Sequence, residues 1–219
     1  MEIADDEPGS AVRRAVPSGV PTLLIGLVLV AVGVSLSIRA EIGVAPYDVL
    51  TTGLVSITGI EIGLAAMVVP VVFVVVAALL GGRPGPGTVL AVLLVGPILG
   101  LVLRALPELE AMAPRLGFFV LGFAVIATGI TAVVVAEVGP GPAELLMLVI
   151  HDRGVPIAPA RTGIEIGSVL LGWALGGQVG VGTVLFALLI GPVLARMLRL
   201  AGFDPQRADE LSDCASPGA

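Results

Sequence analysis

Long uncharged apolar runs dominate the pattern of this chain, with little of the apolar–polar alternation of a soluble fold. Such runs cover Pro17–Ile38, Ile62–Gly82, Pro84–Leu103 and Leu116–Ala136, and a further one, Ile166–Ala195, is broken by a glycine-rich turn at 176–182. About 20 apolar residues in a helix cross the roughly 30 Å hydrocarbon core of a bilayer. The pattern therefore predicts an all-α polytopic transmembrane bundle with six long spans, at about Pro21–Ala40, Ile62–Gly82, Pro84–Leu103, Leu116–Ala136, Ala160–Gly176 and Gly182–Leu200. Two shorter apolar segments, Pro46–Ile57 and Ala143–Asp152, lie between them. The first, at 1.5 Å per residue, is about 18 Å long, too short to cross alone.

The chain repeats itself. Residues 80–104 and 175–199 are identical at 15 of 25 positions without a gap, at an offset of 95. Upstream, Gly26, Gly33, Ala40, Glu41, Gly43 and Pro46 match Gly122, Gly129, Ala136, Glu137, Gly139 and Pro142 at an offset of 96. The reading is two tandem membrane repeats, 19–106 and 116–203, joined by a connector at 107–115 and flanked by polar tails at 1–18 and 204–219. Duplicated apolar units are a common ground plan of secondary transporters, whose sites lie near the repeat interface. If the short segments cross, there are eight crossings and the repeats are parallel; if they turn back, there are six crossings and the repeats are inverted. Arg104 and Arg199 occupy equivalent positions, and the bias of cationic residues toward one membrane face favours the parallel, eight-crossing arrangement, with both termini cytoplasmic.

Composition narrows the function classes. The chain is 57% hydrophobic and 13% charged, far below the charge of an average soluble domain. The net charge of −6 resides largely in acidic tails, and no basic patch exists to neutralise phosphates, so nucleic acid is excluded as a partner. The one cysteine, Cys214, allows no intrachain disulfide. His151 has no Cys or second His with which to form a metal site. No Walker A, G-x-S-x-G or H-E-x-x-H motif occurs, and neither enzyme activity nor a cofactor is expected.

The candidate chemistry sits where helix breaks. Glu41-Ile-Gly-Val-Ala-Pro46-Tyr47-Asp48 and Glu137-Val-Gly-Pro-Gly-Pro142-Ala-Glu144 each carry an acid before the break and another in the first turn of the next helix. Non-helical backbone at membrane depth is tolerated only inside protein or along a wet cavity, and a helix starting there presents free N–H groups. Asp48 and Glu144 also suit ordinary stabilisation of a helix start. Glu41 and Glu137 close apolar spans, as interfacial acids or as proton- or cation-handling carboxylates. Arg161 and Glu165, four apart at the start of a span, are expected to form a partly buried pair. Arg39 reads as an interfacial anchor, and Thr88 and Thr183, in two G-x-G-T-V-L blocks, as helix caps.

Four blocks together resemble a known family: Pro46-Tyr47-Asp48, the R-x-x-x-E of Arg161–Glu165, the L-G-W-x-L-G-G-x-V-G-x-G-T of Leu171–Thr183, and Leu189–Pro192. They are similar to the YczE/YyaS/YitT group of bacterial membrane proteins, over about residues 20–200 and most closely its YczE branch. The resemblance implies a multi-pass protein of the bacterial cell membrane and little chemistry. The expected function is small-molecule transport, with the lipid bilayer as surroundings. The site would be formed by Glu41, Pro46, Tyr47, Asp48, Glu137, Pro142, Glu144, Arg161 and Glu165. Its carboxylates favour a cationic solute or a coupling proton, while the free N–H groups of the helix starts would suit an anionic group, so the sign of the solute stays open with a cation favoured. The alternative is a non-transporting membrane partner or assembly factor.

Overall fold

In the computed structural model, residues 19–202 are described, so the two expected tails and Cys214 lie outside the described residues. Eight helices follow in order: α1 Val20–Ala40, α2 Pro46–Thr58, α3 Ile62–Leu79, α4 Pro86–Ala105, α5 Met112–Ala136, α6 Pro142–His151, α7 Ile157–Ala174 and α8 Val181–Leu200. No strand occurs among the described residues. Proline sits in the first turn of α1, α2, α4 and α6, where its missing N–H costs nothing and its fixed φ is already helical. Five helices, α1, α3, α4, α5 and α8, are long and apolar enough to cross a membrane. The sixth expected span, α7, has 18 residues but carries Arg161 and Glu165 and is not among them. Large apolar side chains such as Ile25, Val72, Leu101, Val120 and Leu188 are exposed around the bundle, as lipid-facing surfaces require.

The helix directions follow from contacts at the ends. Gly19 N–H donates to the Ala136 carbonyl, and Glu41 pairs with Arg115 at 2.8 Å. The start of α1 thus meets the end of α5 and vice versa, so the two are antiparallel. Ser35 donates to Leu99 O and Arg39 to Leu103 O, so α4 runs parallel to α1. Arg104 at the end of α4 pairs with Glu61 before α3 at 2.7 Å. The end of α1, the end of α4 and the starts of α3 and α5 therefore share one end of the bundle, here the Arg39 end. The chain leaves that end after Glu41 and is back there at Glu61, so α2 does not traverse the bundle.

The parallel arrangement expected for the two halves does not hold. α1 and α5, matched by sequence at an offset of 96, run antiparallel, and the equivalent residues Arg104 and Arg199 fall at opposite ends. Charge bias misled because Arg104 is neutralised in place by Glu61, whose counterpart at an offset of 95 is Pro156. Arg199 instead donates to the Ala195 carbonyl of its own helix.

α1 and α5 are held together by four glycines. A Cβ on Gly26 would lie 2.9 Å from the Gly129 carbonyl, and one on Gly129 would lie 2.9 Å from that of Gly26. Gly33 and Gly122 form the same reciprocal contact, also at 2.9 Å. Small residues let helix backbones touch where lipid supplies no hydrophobic drive for association. The core around Ala31, Val34, Phe119, Ile126 and Phe186 builds on this seam, with Phe186 edge-on to Phe119 and Phe123. On α3 and α4, Gly63, Gly96 and Gly100 make a second close approach, which accounts for the Gly96-Pro97 pair as packing. Their repeat counterpart differs: Gly191 has open space around it.

Gly122→Ala is expected to lower stability by roughly 1–3 kcal/mol, the usual range for overpacking, because the new methyl meets the Gly33 carbonyl and Ser37. Gly117→Ala, on the same helix with nothing within 4 Å, should be neutral or stabilising. Thermal unfolding of the two variants in detergent checks the contrast.

Candidate functional site

Each break is an extended segment between a left-handed helix end and a proline-started helix. Glu41 (φ 55°) and Glu137 (φ 53°) are the only described non-glycine residues with positive φ. This conformation disfavours side chains with a Cβ by roughly 1–2 kcal/mol, and glycine usually takes it at helix ends. Glu41 lies at the Arg39 end, bound to Arg115. Glu137 follows Ala136 at the other end. The two acids are therefore about the length of α1 apart, roughly 30 Å, and the structure does not bring them together.

The unwound backbone of each break is met by the start of a helix from the other half of the chain. Gly182 N–H donates to the Ile42 carbonyl at 3.1 Å, and Gly43 (φ 135°) lies against Thr183 and Gly180 so closely that no Cβ fits. Across the bundle, the Thr88 hydroxyl donates to the Pro140 carbonyl at 2.6 Å, and Gly87 packs on Gly139. The two G-x-G-T blocks thus clamp the breaks. Thr183 also serves as the expected cap, accepting from Gly180 N–H at 3.3 Å, whereas Thr88 spends its hydroxyl on the break.

The first turns of α2 and α6 converge. The Tyr47 ring lies 5.2 Å from that of Phe73, eleven residues into α3 and hence about 16 Å from its start. Leu145 and Leu146, in the first turn of α6, share one apolar cluster with the Tyr47 ring. Pro46 is buried at the first position of α2, and Pro142 opens α6 half-buried. Neither Asp48 nor Glu144 forms an ion pair among the described residues. Glu144 curls back over Gly141, the residue before its helix, and both acids complement the positive end of a helix dipole. Against the Tyr47 ring pack Val69, Phe73, Leu145, Leu146 and Val149, joined by Leu50, Leu54 and Ile164, while Glu144 is exposed.

Sequence reading missed two hydroxyls here. Thr51 is 1% exposed, and its buried Oγ1 has no partner; it follows Asp48 by three residues, on the same side of α2. Thr52 Oγ1 donates within α2 and accepts from Gln178 N–H at 2.9 Å, while the Gln178 side chain donates to Ile38 O. Position relative to Asp48 was the only available signal.

Arg161 and Glu165 form the expected i, i+4 bond at 3.0 Å, with side chains 45% and 33% exposed. They flank Ile164, which packs at the edge of the Tyr47 cluster, but neither makes a hydrogen bond or ion pair with Tyr47, Asp48 or Glu144 among the described residues. Arg39 is more than an anchor: it is largely buried, donates to Leu103 O at 2.6 Å and approaches Glu108 at 3.9 Å. Two shallow recesses, of about 190 and 310 Å³, lie on the α3–α4 flank, lined in part by Glu61, Gly100 and Arg104.

The chain matches a family described as a family of unknown function, DUF6198, over residues 18–199. It is 32% identical over 179 residues to an uncharacterized protein of Haemophilus influenzae, covering 81% of this chain and 82% of the relative. It is 30% identical over 172 residues to the uncharacterized membrane protein YczE of Bacillus subtilis, covering 77% and 80%. The uncharacterized protein YyaS of the same organism is 26% identical over 178 residues, covering 78% and 87%. No solved structure matches the chain.

Thr88→Val is expected to destabilise the protein by about 1–3 kcal/mol, the cost of leaving a buried carbonyl unpaired. Thr128→Val, whose exposed hydroxyl bonds only within its own helix, should change little; melting curves in detergent compare the two. Arg161→Ala should cost no more than about 1 kcal/mol, as for other pairs open to solvent, against 3–5 kcal/mol for a fully buried pair. Chemical denaturation in micelles reads that difference.

Proposed function

The chain belongs to the DUF6198 family, a family of unknown function, and from that membership and the geometry above we propose that it is a multi-pass permease for a small cationic solute or a coupling proton. The observation that carries the reading is that the first turns of two short helices, α2 and α6, meet in one apolar cluster with the Tyr47 ring, and each turn bears a carboxylate, Asp48 and Glu144, with no ion-pair partner among the described residues. Transporters built from inverted repeats place their sites at such discontinuous helices near the midplane. The antiparallel α1–α5 pair, the reciprocal glycine contacts and the exchanged clamps at Ile42 and Pro140 support tandem repeats in inverted orientation. On this reading six helices cross and α2 and α6 re-enter, in place of eight crossings.

The solute-contacting residues are Tyr47, Asp48 and Glu144, with the backbone at Pro46 and Pro142. Two acids against two helix N-termini leave a site that takes one cation or proton without a large net charge. Glu41 and Glu137 lie on the two membrane faces and serve as entry and exit carboxylates. Arg161 and Glu165 anchor the start of α7. Arg83, Arg153, Arg161, Arg196 and Arg199 cluster at one end and Arg39, Arg104 and Arg115 at the other. The cationic bias of cytoplasmic loops then puts the Arg199 end, with both termini, in the cytoplasm of a bacterial cell.

A second reading, a non-transporting membrane partner, is favoured by the apolar packing of Val69, Phe73, Leu145 and Val149 beside Tyr47. Proteoliposomes holding a pH-sensitive dye separate the two. Under an imposed proton gradient, one or more of a panel of small organic cations should dissipate the gradient. Asp48→Asn and Glu144→Gln should each abolish the response while leaving yield and melting temperature unchanged. A panel that never exceeds empty liposomes, or a response that survives both substitutions, would overturn the permease reading.

A further inference from the structure

We propose that the recess between α1, α3 and α4 at the Arg39 end binds a membrane phospholipid through its phosphodiester, independently of the Tyr47 cluster. The wider part of the recess, about 310 Å³, is lined by Arg39, Glu61, Ile62, Gly100, Leu103 and Arg104. It shares Glu61, Gly100 and Arg104 with a second recess of about 190 Å³ that continues along Leu64, Met67 and Pro97. Charge lies at the mouth, where the helices end, and apolar surface lies below it. That is the order of groups in a phospholipid.

The guanidinium of Arg39 carries the argument. Its side chain is 22% exposed, yet of its five N–H donors only one has a good acceptor, at Leu103 O. Its Nε is buried without a partner, and Glu108, 3.9 Å away, is 92% exposed and too distant for a hydrogen bond. A buried cationic donor left unmade is costly, and a phosphate offers several charged acceptors to a planar fork. Arg104, 69% exposed, supplies the second cation; it pairs with Glu61, whose carboxylate also lines the recess, so a phosphate would share Arg104 with it. The acyl chains have their own surface, since Leu64 and Leu101 are 52% and 66% exposed beside the recess. Free phosphate would leave that surface unused.

The site is confined to one end. The positions matching Arg39, Glu61 and Arg104 are Val135, Pro156 and Arg199. α3 and α4 close on each other through Gly63, Gly96 and Gly100, whereas Gly191, the match of Gly96, has nothing within 4 Å. The other half therefore has neither the two cations nor the closed floor.

The test uses the purified, delipidated full chain in detergent, titrated with phosphatidylglycerol, with diacylglycerol of the same chains, and with inorganic phosphate. Binding is read by native mass spectrometry and by the shift in melting temperature. Phosphatidylglycerol should bind one to one and raise the melting temperature, and the other two should not. Arg39→Gln and Arg104→Gln should each weaken binding about tenfold, as expected for loss of a charge-assisted bond. Arg153→Gln, at the other end, should leave it unchanged. Should Arg39→Gln not fold, Arg104→Gln, on an exposed side chain, decides alone. Equal binding of diacylglycerol would reduce the recess to an apolar groove. Equal binding of inorganic phosphate would make it a free-anion site. Undiminished phosphatidylglycerol binding in the folded Arg variants would remove the arginines from any role; each of these three results overturns the proposal.

Discussion

Everything distinctive in this bundle follows from backbone that is not helical at membrane depth. Such backbone has no water to bond and needs protein partners. Here the partner of each break is the first turn of a helix from the other half: Gly182 for Ile42, and Thr88 for Pro140. The supply is well matched, because a helix start has unmade N–H donors and a threonine there adds a hydroxyl. The exchange also binds the halves to each other at two separate points, so neither can complete its own break.

The antiparallel α1–α5 seam is the geometric counterpart of that exchange. The contacts Gly26–Gly129 and Gly33–Gly122 repeat at a spacing of seven on both helices. Seven residues are nearly two full turns, so each pair of glycines shares one face and the backbones touch along a line. With the two helices reversed relative to each other, whatever follows α1 at one end is echoed after α5 at the other. Glu41 and Glu137 take the same left-handed conformation at those two ends. The extended breaks then lead inward from opposite ends, and α2 starts beside the Tyr47 ring and runs back toward the Arg39 end, where Glu61 meets Arg104.

Much of this was legible in the sequence. Apolar run length found the long helices and Pro46 and Pro142 marked the two short ones, whereas the glycines at 26, 33, 122 and 129 were legible only as matches between the halves, and their contact along one seam was not. Orientation was not legible, because identity between two segments is blind to the direction in which each crosses. The one cue that bears on direction, arginine placement, failed through Glu61, a residue 43 positions from the Arg104 it neutralises. The candidate site was legible in part for the same reason. Spacing identified Tyr47, Asp48 and Glu144 on their first turns. It could not reveal that Glu41 and Glu137 are at opposite ends, nor that Arg161 and Glu165 make no bond to the cluster.

The two halves have also diverged where strict duplication would serve least. Tyr47, which packs on Phe73, is matched by Ala143, and the closed α3–α4 seam is matched by α7 and α8, where Gly163, Gly167 and Gly191 are open. The open α7–α8 pair is the looser half, with α7 carrying the only ion pair found within one helix among the described residues. Close glycine packing joins α3 to α4, while Gly163, Gly167 and Gly191 make no such contact. The hold on α7 comes instead from α2, where Gly53 and Gly172 bring the two backbones together, so the helix that carries Tyr47 and Asp48 is seated directly on α7 rather than on its own sequence neighbour α3 alone.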